Sequence, residues 1–234
     1  MEMSRGFFIA VCAMTVLTAC VPDAMQRSEL EPLPKAKRTG SPQGLDDFRA
    51  VVLRVEPVAE QVCHEARANL NCDFLIVVDQ RPNLQPNAYQ TYQRDGRPVI
   101  IFTASLLRVM KNRDEVAFAL SHEAAHHIEG HIMQTRSSVI AGTLIGAIFG
   151  AAAGLDESGL DATADIGGTI GARSYSKEFE LEADALGAKI AQRAGFDPLR
   201  GVLYFQDAAD PGDRFLGTHP PNADRIRMVR RSVG

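Results

Sequence analysis

His122-Glu123-Ala124-Ala125-His126 sets two imidazoles four residues apart. On a helix they lie about 40° apart around the axis and one turn apart along it, so both reach one metal ion. Glu123 between them stands where it can activate a metal-bound water without being a ligand. A five-residue pattern of this kind also arises by chance, so its surroundings must carry weight. The apolar run Val116–Leu120 just ahead of it reads as a core helix. One zinc ion per chain is the expected cofactor.

A third ligand is then needed. The metzincin pattern fails, because Glu129 and Ile132 stand where its Gly and His would be. His131, about 140° around the same helix from His126, should point away from the metal, and His127, at about 100°, sideways. Both are expected to be structural or solvent-exposed. A Glu from a second helix is the other common solution, and Glu178–Ala194 supplies one. There Glu180 and Asp184 are one turn apart on one face, ahead of Leu186, Ile190 and Ala191 at helical spacing. Glu180 can bind the metal, while Asp184 can accept a hydrogen bond from a metal-bound His and fix its tautomer. Glu182, about 200° from Glu180, cannot share that role.

The ordered set His122-Glu-Ala-Ala-His126, Glu180-Leu-Glu-Ala-Asp184, Ala194-Gly-Phe-Asp-Pro198 and Thr218-His-Pro220 with Arg225-Ile226 resembles the gluzincin peptidases related to HtpX and the CAAX prenyl protease. Among these it is most similar to the periplasmic BepA-like and LoiP-like enzymes, over roughly residues 48–231. The resemblance implies zinc on His122, His126 and Glu180, Glu123 as general base, and Asp184 behind the ligands. It also implies that His219 can close onto the zinc as an inhibitory ligand; a loop His without metal contact is the other reading. Tyr175 and His219 are both candidate donors to the oxyanion.

The elements that must hold these groups are legible in outline. From Asp46, a candidate N-cap, Phe48, Val51, Val52, Val55, Val58, Ala59 and Val62 recur at helical spacing, with Pro57 as a kink or restart. Phe74–Val78 and Pro98–Phe102 are short apolar runs that read as buried strands, the second following an Asp95-Gly96 turn signal. A third strand can begin around Asn87–Tyr92, with Thr103 or Ser105 capping the helix that follows. Asn112-Arg-Asp-Glu115 starts the helix that carries the metal motif through to His131. The expected fold class is α+β, mainly helical: a zincin-like peptidase domain with a small sheet beside the HExxH helix and a second ligand-bearing helix. An unfolded polypeptide could add as a strand along Asn87–Tyr92 or Pro98–Phe102.

Between the ligand helices, Val139–Leu155 is 17 residues without charge, with Gly142, Gly146, Gly150 and Gly154 recurring every four. Such spacing lets another helix approach closely. The 139–172 insertion reads first as a tightly packed helical hairpin of the body and second as a membrane-contacting or substrate-gating element. A true span is the weakest reading at this length.

Upstream, Phe7–Thr18 is an apolar stretch behind Arg5 that ends in Leu17-Thr-Ala-Cys20. Residues 1–20 read as a signal peptide. The last four are similar to a bacterial lipobox, which implies that Cys20 is acylated and that the membrane is a partner through this lipid. Val21, where Asp would imply inner-membrane retention, favours the periplasmic face of the outer membrane. Residues 21–44, with four Pro, form a tether spanning about 25–30 Å, and 45–234 form the domain. Cys63 and Cys72, eight residues lying between them, suit a disulfide in an oxidising compartment. Two reduced thiols are the alternative.

Composition limits the rest. With 25 Lys+Arg against 29 Asp+Glu, net −4, the chain has no global attraction for phosphate, so nucleic acid is not an expected partner. The function implied is zinc-dependent endoproteolysis of misfolded or misassembled cell-envelope proteins. A latent-protease chaperone that works with the outer-membrane assembly machinery is the alternative.

Overall fold

In the computed structural model the described residues are 45–173, 176–207 and 220–234. Helix α1 (Leu45–Ala66) is unbroken through Pro57. Pro57 sits on the exposed face, so the hydrogen bond it cannot donate is lost at the solvent side, and the helix neither stops nor restarts. Asp46 lies inside the first turn instead of capping it, where its charge favours the helix dipole. The inward face, Phe48, Val51, Val55, Ala59 and Val62, is almost fully buried.

That face meets a three-stranded sheet of order β1-β3-β2. Strand β1 (Leu75–Asp79) runs parallel to the central β3 (Pro98–Thr103), and β2 (Ala88–Tyr92) antiparallel to it. Burial explains the order: β3 is the most apolar strand and is covered on both sides, whereas β2 keeps one free edge. Pro98–Phe102 therefore offers no edge for an added strand; β2 does. The Phe48 and Phe102 rings pack at 5.1 Å, and burying each such side chain is worth about 1.5–3 kcal/mol. Cys63 at the end of α1 is bonded to Cys72 just before β1, with both residues buried in this core.

Thr103 accepts a hydrogen bond from the Leu106 N–H and caps α2 (Ala104–Val109). Asn112 caps α3 (Arg113–Glu129) by accepting from the Glu115 N–H at 3.0 Å, while the Glu115 carboxylate accepts from the Lys111 N–H at 2.7 Å. With Asn112 Nδ2 also donating to the Glu115 carboxylate at 3.0 Å, these bonds fix where the metal-motif helix begins. Its end is equally defined, because Gly130 takes a left-handed conformation (φ 76°) that a side chain would disfavour. The helix expected to run to His131 thus stops at Glu129, and His131 opens α4 (His131–Ala152).

Helix α4 turns at Gly154 and returns as α5 (Glu157–Arg173), forming a hairpin. Helix α6 (Ser176–Arg193) packs along α3, and α7 (Pro198–Gly201), α8 (Tyr204–Asp207) and α9 (Asn222–Val233) close the far side. The result is a mainly helical α+β domain with a small sheet beside the metal-motif helix.

Candidate metal centre

The site forms where α3 and α6 come closest. A Cβ on Gly187 would lie 2.9 Å from both Cα and N of His122, so the absent side chain is what lets α6 reach the metal motif. One turn back on α6, Asp184 is fully buried, and Glu180 lies a further turn along the same face. The two helices bring His122, His126 and Glu180 together. His122 Nε2 is 3.0 Å from His126 Nε2, and Glu180 oxygens lie 3.6 and 3.4 Å from these two nitrogens. Ligands about 2.0–2.1 Å from a tetrahedral zinc are roughly 3.3–3.5 Å from one another, so this triangle has the size and donor chemistry for zinc. Among the described residues, these three form the group of His, Cys, Asp or Glu side chains able to hold a metal ion.

Behind the triangle the imidazoles are held from two sides. His122 Nδ1 is 3.0 Å from Asp184 Oδ1 and donates to it, which turns Nε2 toward the metal position. Asp184 is itself clamped by Arg225 of α9, whose Nε and Nη2 donate to its two oxygens at 2.8 and 2.7 Å. Arg225 also stacks over the Phe205 ring at 3.9 Å and reaches Glu180 at 3.4 Å. Burial alone would raise the Asp184 carboxyl, but Arg225 and His122 hold it below the ordinary carboxylate value.

His126 is held by a residue that helix geometry had pointed elsewhere. His126 Nδ1 lies 2.8 Å from His131 Nδ1, and His131 Nε2 lies 3.1 Å from a Glu182 oxygen. Because Gly130 breaks the helix, His131 starts a new one and folds back over His126. Its ring stacks on Phe179 at 4.3 Å. With Nε2 facing the metal, His126 donates from Nδ1 to His131, which donates onward to Glu182. Glu182 is absent from the triangle, as its helical phase requires, yet serves it through His131. His127 is structural: its Nε2 donates to the Asn71 carbonyl at 2.8 Å, and Nδ1 meets the Tyr92 hydroxyl at 3.2 Å.

Glu123 faces a cavity of about 460 Å³ lined by β2 on one side and Phe118, Tyr204, Phe205 and Arg225 on the other. Burial pushes its carboxyl up to about 7; Glu180 adds to this, while His122, Arg225 and the Gln90 N–H oppose it. A carboxyl poised there can both take and return a proton near neutral pH. The β2 edge borders the same cavity. Asn87 accepts from the Thr103 N–H, so the alternating pairs Ala88–Phe102 and Gln90–Ile100 leave the backbone groups of Ala88 and Gln90 facing outward.

Tyr175, His219 and Cys20 lie outside the described residues. One contributor was misplaced from sequence, His131, for which Gly130 as a helix stop was the available signal; Arg225 was named with Ile226 but given no role, because its pairing with Asp184 spans 41 residues.

The profile of peptidase family M48 matches residues 52–233. The chain is 27% identical to the mitochondrial metalloendopeptidase OMA1 of Schizosaccharomyces pombe over 79% of this chain and 54% of that protein. It is 29% identical to the beta-barrel assembly-enhancing protease of Yersinia pestis over 63% of this chain and 32% of that one. It is 33% identical to a protease HtpX homolog of Desulfatibacillum aliphaticivorans over 47% and 41% respectively. The matched region thus spans between about a third and a half of these curated relatives.

Proposed function

Because the chain belongs to peptidase family M48, we propose that it is a zinc-dependent endopeptidase that hydrolyses misfolded or misassembled cell-envelope proteins. The observation that carries this is the joint position of Glu123 and the β2 edge on one cavity beside the His122–His126–Glu180 triangle. A purely structural zinc site closes its fourth position with a protein ligand and needs no neighbouring base.

Zinc held there supplies Lewis acidity, which lowers the pKa of a water toward about 7 and supports negative charge on a carbonyl oxygen. The protein's own groups do the rest. Glu123 takes a proton from the attacking water and returns it to the leaving amine. Asp184 and His131 fix the two imidazoles in the tautomers that leave Nε2 free. The outward N–H and C=O of Ala88 and the C=O of Gln90 bind extended polypeptide backbone, which suits substrates selected for being unfolded instead of for sequence.

The envelope assignment rests on the signal-like residues 1–20 and the lipobox at Cys20, which favour a lipid-anchored protein at the periplasmic face of the outer membrane. The name of the Yersinia relative, a beta-barrel assembly-enhancing protease, supports the assembly of β-barrel proteins as the process in which it works.

The test compares degradation of a denatured protein by wild type and by Glu123→Gln at matched zinc content. Cleavage by wild type alone supports the peptidase reading. Cleavage by neither, with one zinc in each, overturns it in favour of a chaperone with a latent site.

A further inference from the structure

The α4–α5 hairpin is built inside out. Gly142, Gly146 and Gly150 of α4 face Gly167, Thr163 and Leu160 of α5, and a Cβ at Gly142 or Gly146 would overlap the carbonyl oxygen of Gly167 or Thr163. At Gly142 and Gly146 the two helices therefore touch backbone to backbone, and toward the turn Gly150 makes room for the Thr163 and Leu160 side chains. The large apolar side chains point outward instead: Ile140, Leu144, Ile148, Phe149, Ile166 and Ile170 are 46–71% exposed. In water the stable hairpin has the reverse arrangement, since apolar side chains left uncovered forgo the free energy of their burial. Small residues at the seam and large apolar ones outside is the arrangement that is stable in lipid, which is as apolar as Ile.

Helix α4 fits the same solvent. No charge falls between Arg136 and Asp156, and its 22 residues extend about 33 Å. A helix apolar all round is normally buried, yet this one has only 11% of its most apolar window covered by the protein. Among the described residues it is the helix long and apolar enough to cross a membrane. Helix α5 sets the limit, because Glu157, Asp161 and Asp165 are exposed on it. These carboxylates keep one side of the hairpin in water and give it no attraction for anionic lipid.

We propose that the hairpin seats its outward apolar side chains in the bilayer, lying in the membrane by apolar contact with neutral lipid while the acidic side of α5 stays wet. The occupant is lipid and not a second copy or a client polypeptide, for two reasons. The seam has the small-inside order that lipid favours, and the lipobox-like Leu17-Thr-Ala-Cys20 precedes a 24-residue stretch whose mean span as a flexible coil is about 25–30 Å, so acylation of Cys20 would bring the body to a membrane. Phe149 lies 18 residues beyond His131, so the cleft stands up to about 27 Å from the buried tip along α4. The inference does not depend on peptidase activity.

The chain contains no Trp, so a single introduced indole reports its own surroundings. Phe149→Trp on the hairpin and Leu53→Trp on the exposed face of α1, both outward-facing, are made in residues 20–234 without acyl groups. The result then owes nothing to lipid on Cys20. With neutral phosphatidylcholine vesicles, the Phe149→Trp emission is expected to shift to the blue and to be quenched by brominated lipid, and the Leu53→Trp emission to do neither. Adding Leu144→Asp and Ile148→Asp, with circular dichroism unchanged, is expected to abolish vesicle flotation. The proposal is overturned by an unshifted, unquenched Phe149→Trp emission at lipid excess. It is equally overturned by a shift that follows protein concentration without lipid, or one that appears only with added denatured polypeptide.

Discussion

His131 Nδ1 lies 2.8 Å from His126 Nδ1, although the two residues belong to different helices. This contact fixes the tautomer of a metal-binding imidazole. His131→Leu should weaken zinc binding about 10–100-fold in a chelator competition, whereas His131→Gln, which keeps an acceptor, should lose far less. Equal affinities for wild type and His131→Leu would remove His131 from the site.

Arg225 and Asp184 form a buried bidentate pair. Arg225→Met breaks this buried pair, leaving His122 as the remaining partner of the Asp184 carboxylate, and should cost up to about 3–5 kcal/mol in denaturant unfolding. The double change with Asp184→Asn should cost clearly less than the two single costs added. Simple additivity would mean that the pair is not coupled.

In the metal-free protein, burial and the Arg225 charge oppose protonation of His122, but Asp184 and Glu180 outweigh them and push it up to about 9 from 6.5. The folded state then binds this proton more tightly than the unfolded chain. The stability it contributes is complete below pH 6.5 and is lost as pH rises through about 9. Zinc displaces the proton, so the loaded protein should lack that slope. Calorimetric zinc titrations at pH 7.5 in two buffers of different ionisation enthalpy should show a proton released; identical heats would contradict this protonation state.

Ala88 presents its backbone N–H to the cavity, not to β3. Ala88→Pro thus removes an edge donor without removing a ladder bond or touching the Gln90 N–H that bonds Glu123. Loss of one such bond, about 1–1.5 kcal/mol, should lower kcat/KM on unfolded substrates about tenfold with zinc content unchanged. Unaltered kcat/KM would exclude strand addition along β2.

At Gly187 a methyl group would meet the backbone of His122. Alanine's helix propensity favours the exchange by about 1 kcal/mol, but overlap with backbone has no flexible partner to yield. Gly187→Ala should lose about 1–3 kcal/mol of stability and weaken zinc binding; a more stable, fully loaded variant would show that α6 has room to move.

Much of this arrangement was legible because it is local. The strands announced themselves as short β-branched runs between turn residues, and the metal triangle as two patterns each held within one helical turn. What escaped depends on where the chain reverses. Whether β3 is central or at an edge is decided by pairing, which Pro98–Phe102 does not encode by itself. His131 was misplaced by continuing α3 one residue past Gly130, which rotates its ring from the metal side to the far side. Pro57 suggested a break because its exposure, which makes the missing hydrogen bond cheap, is a tertiary property.

The turn at Gly130 also separates what must stay constant from what can vary. From His122 to His131 the spacing is pinned by the contacts of His122, His126 and His131 at the metal triangle, so a single inserted residue there would dismantle it. Beyond Ser138 the two helices of the hairpin chiefly answer to each other, through a seam that repeats every turn. Matched turns can be added to or removed from both helices, as sections are on a telescoping mast, while the chemistry at the foot is left as it was. The fold thus carries one adjustable length, and adjusting it changes reach without changing reaction.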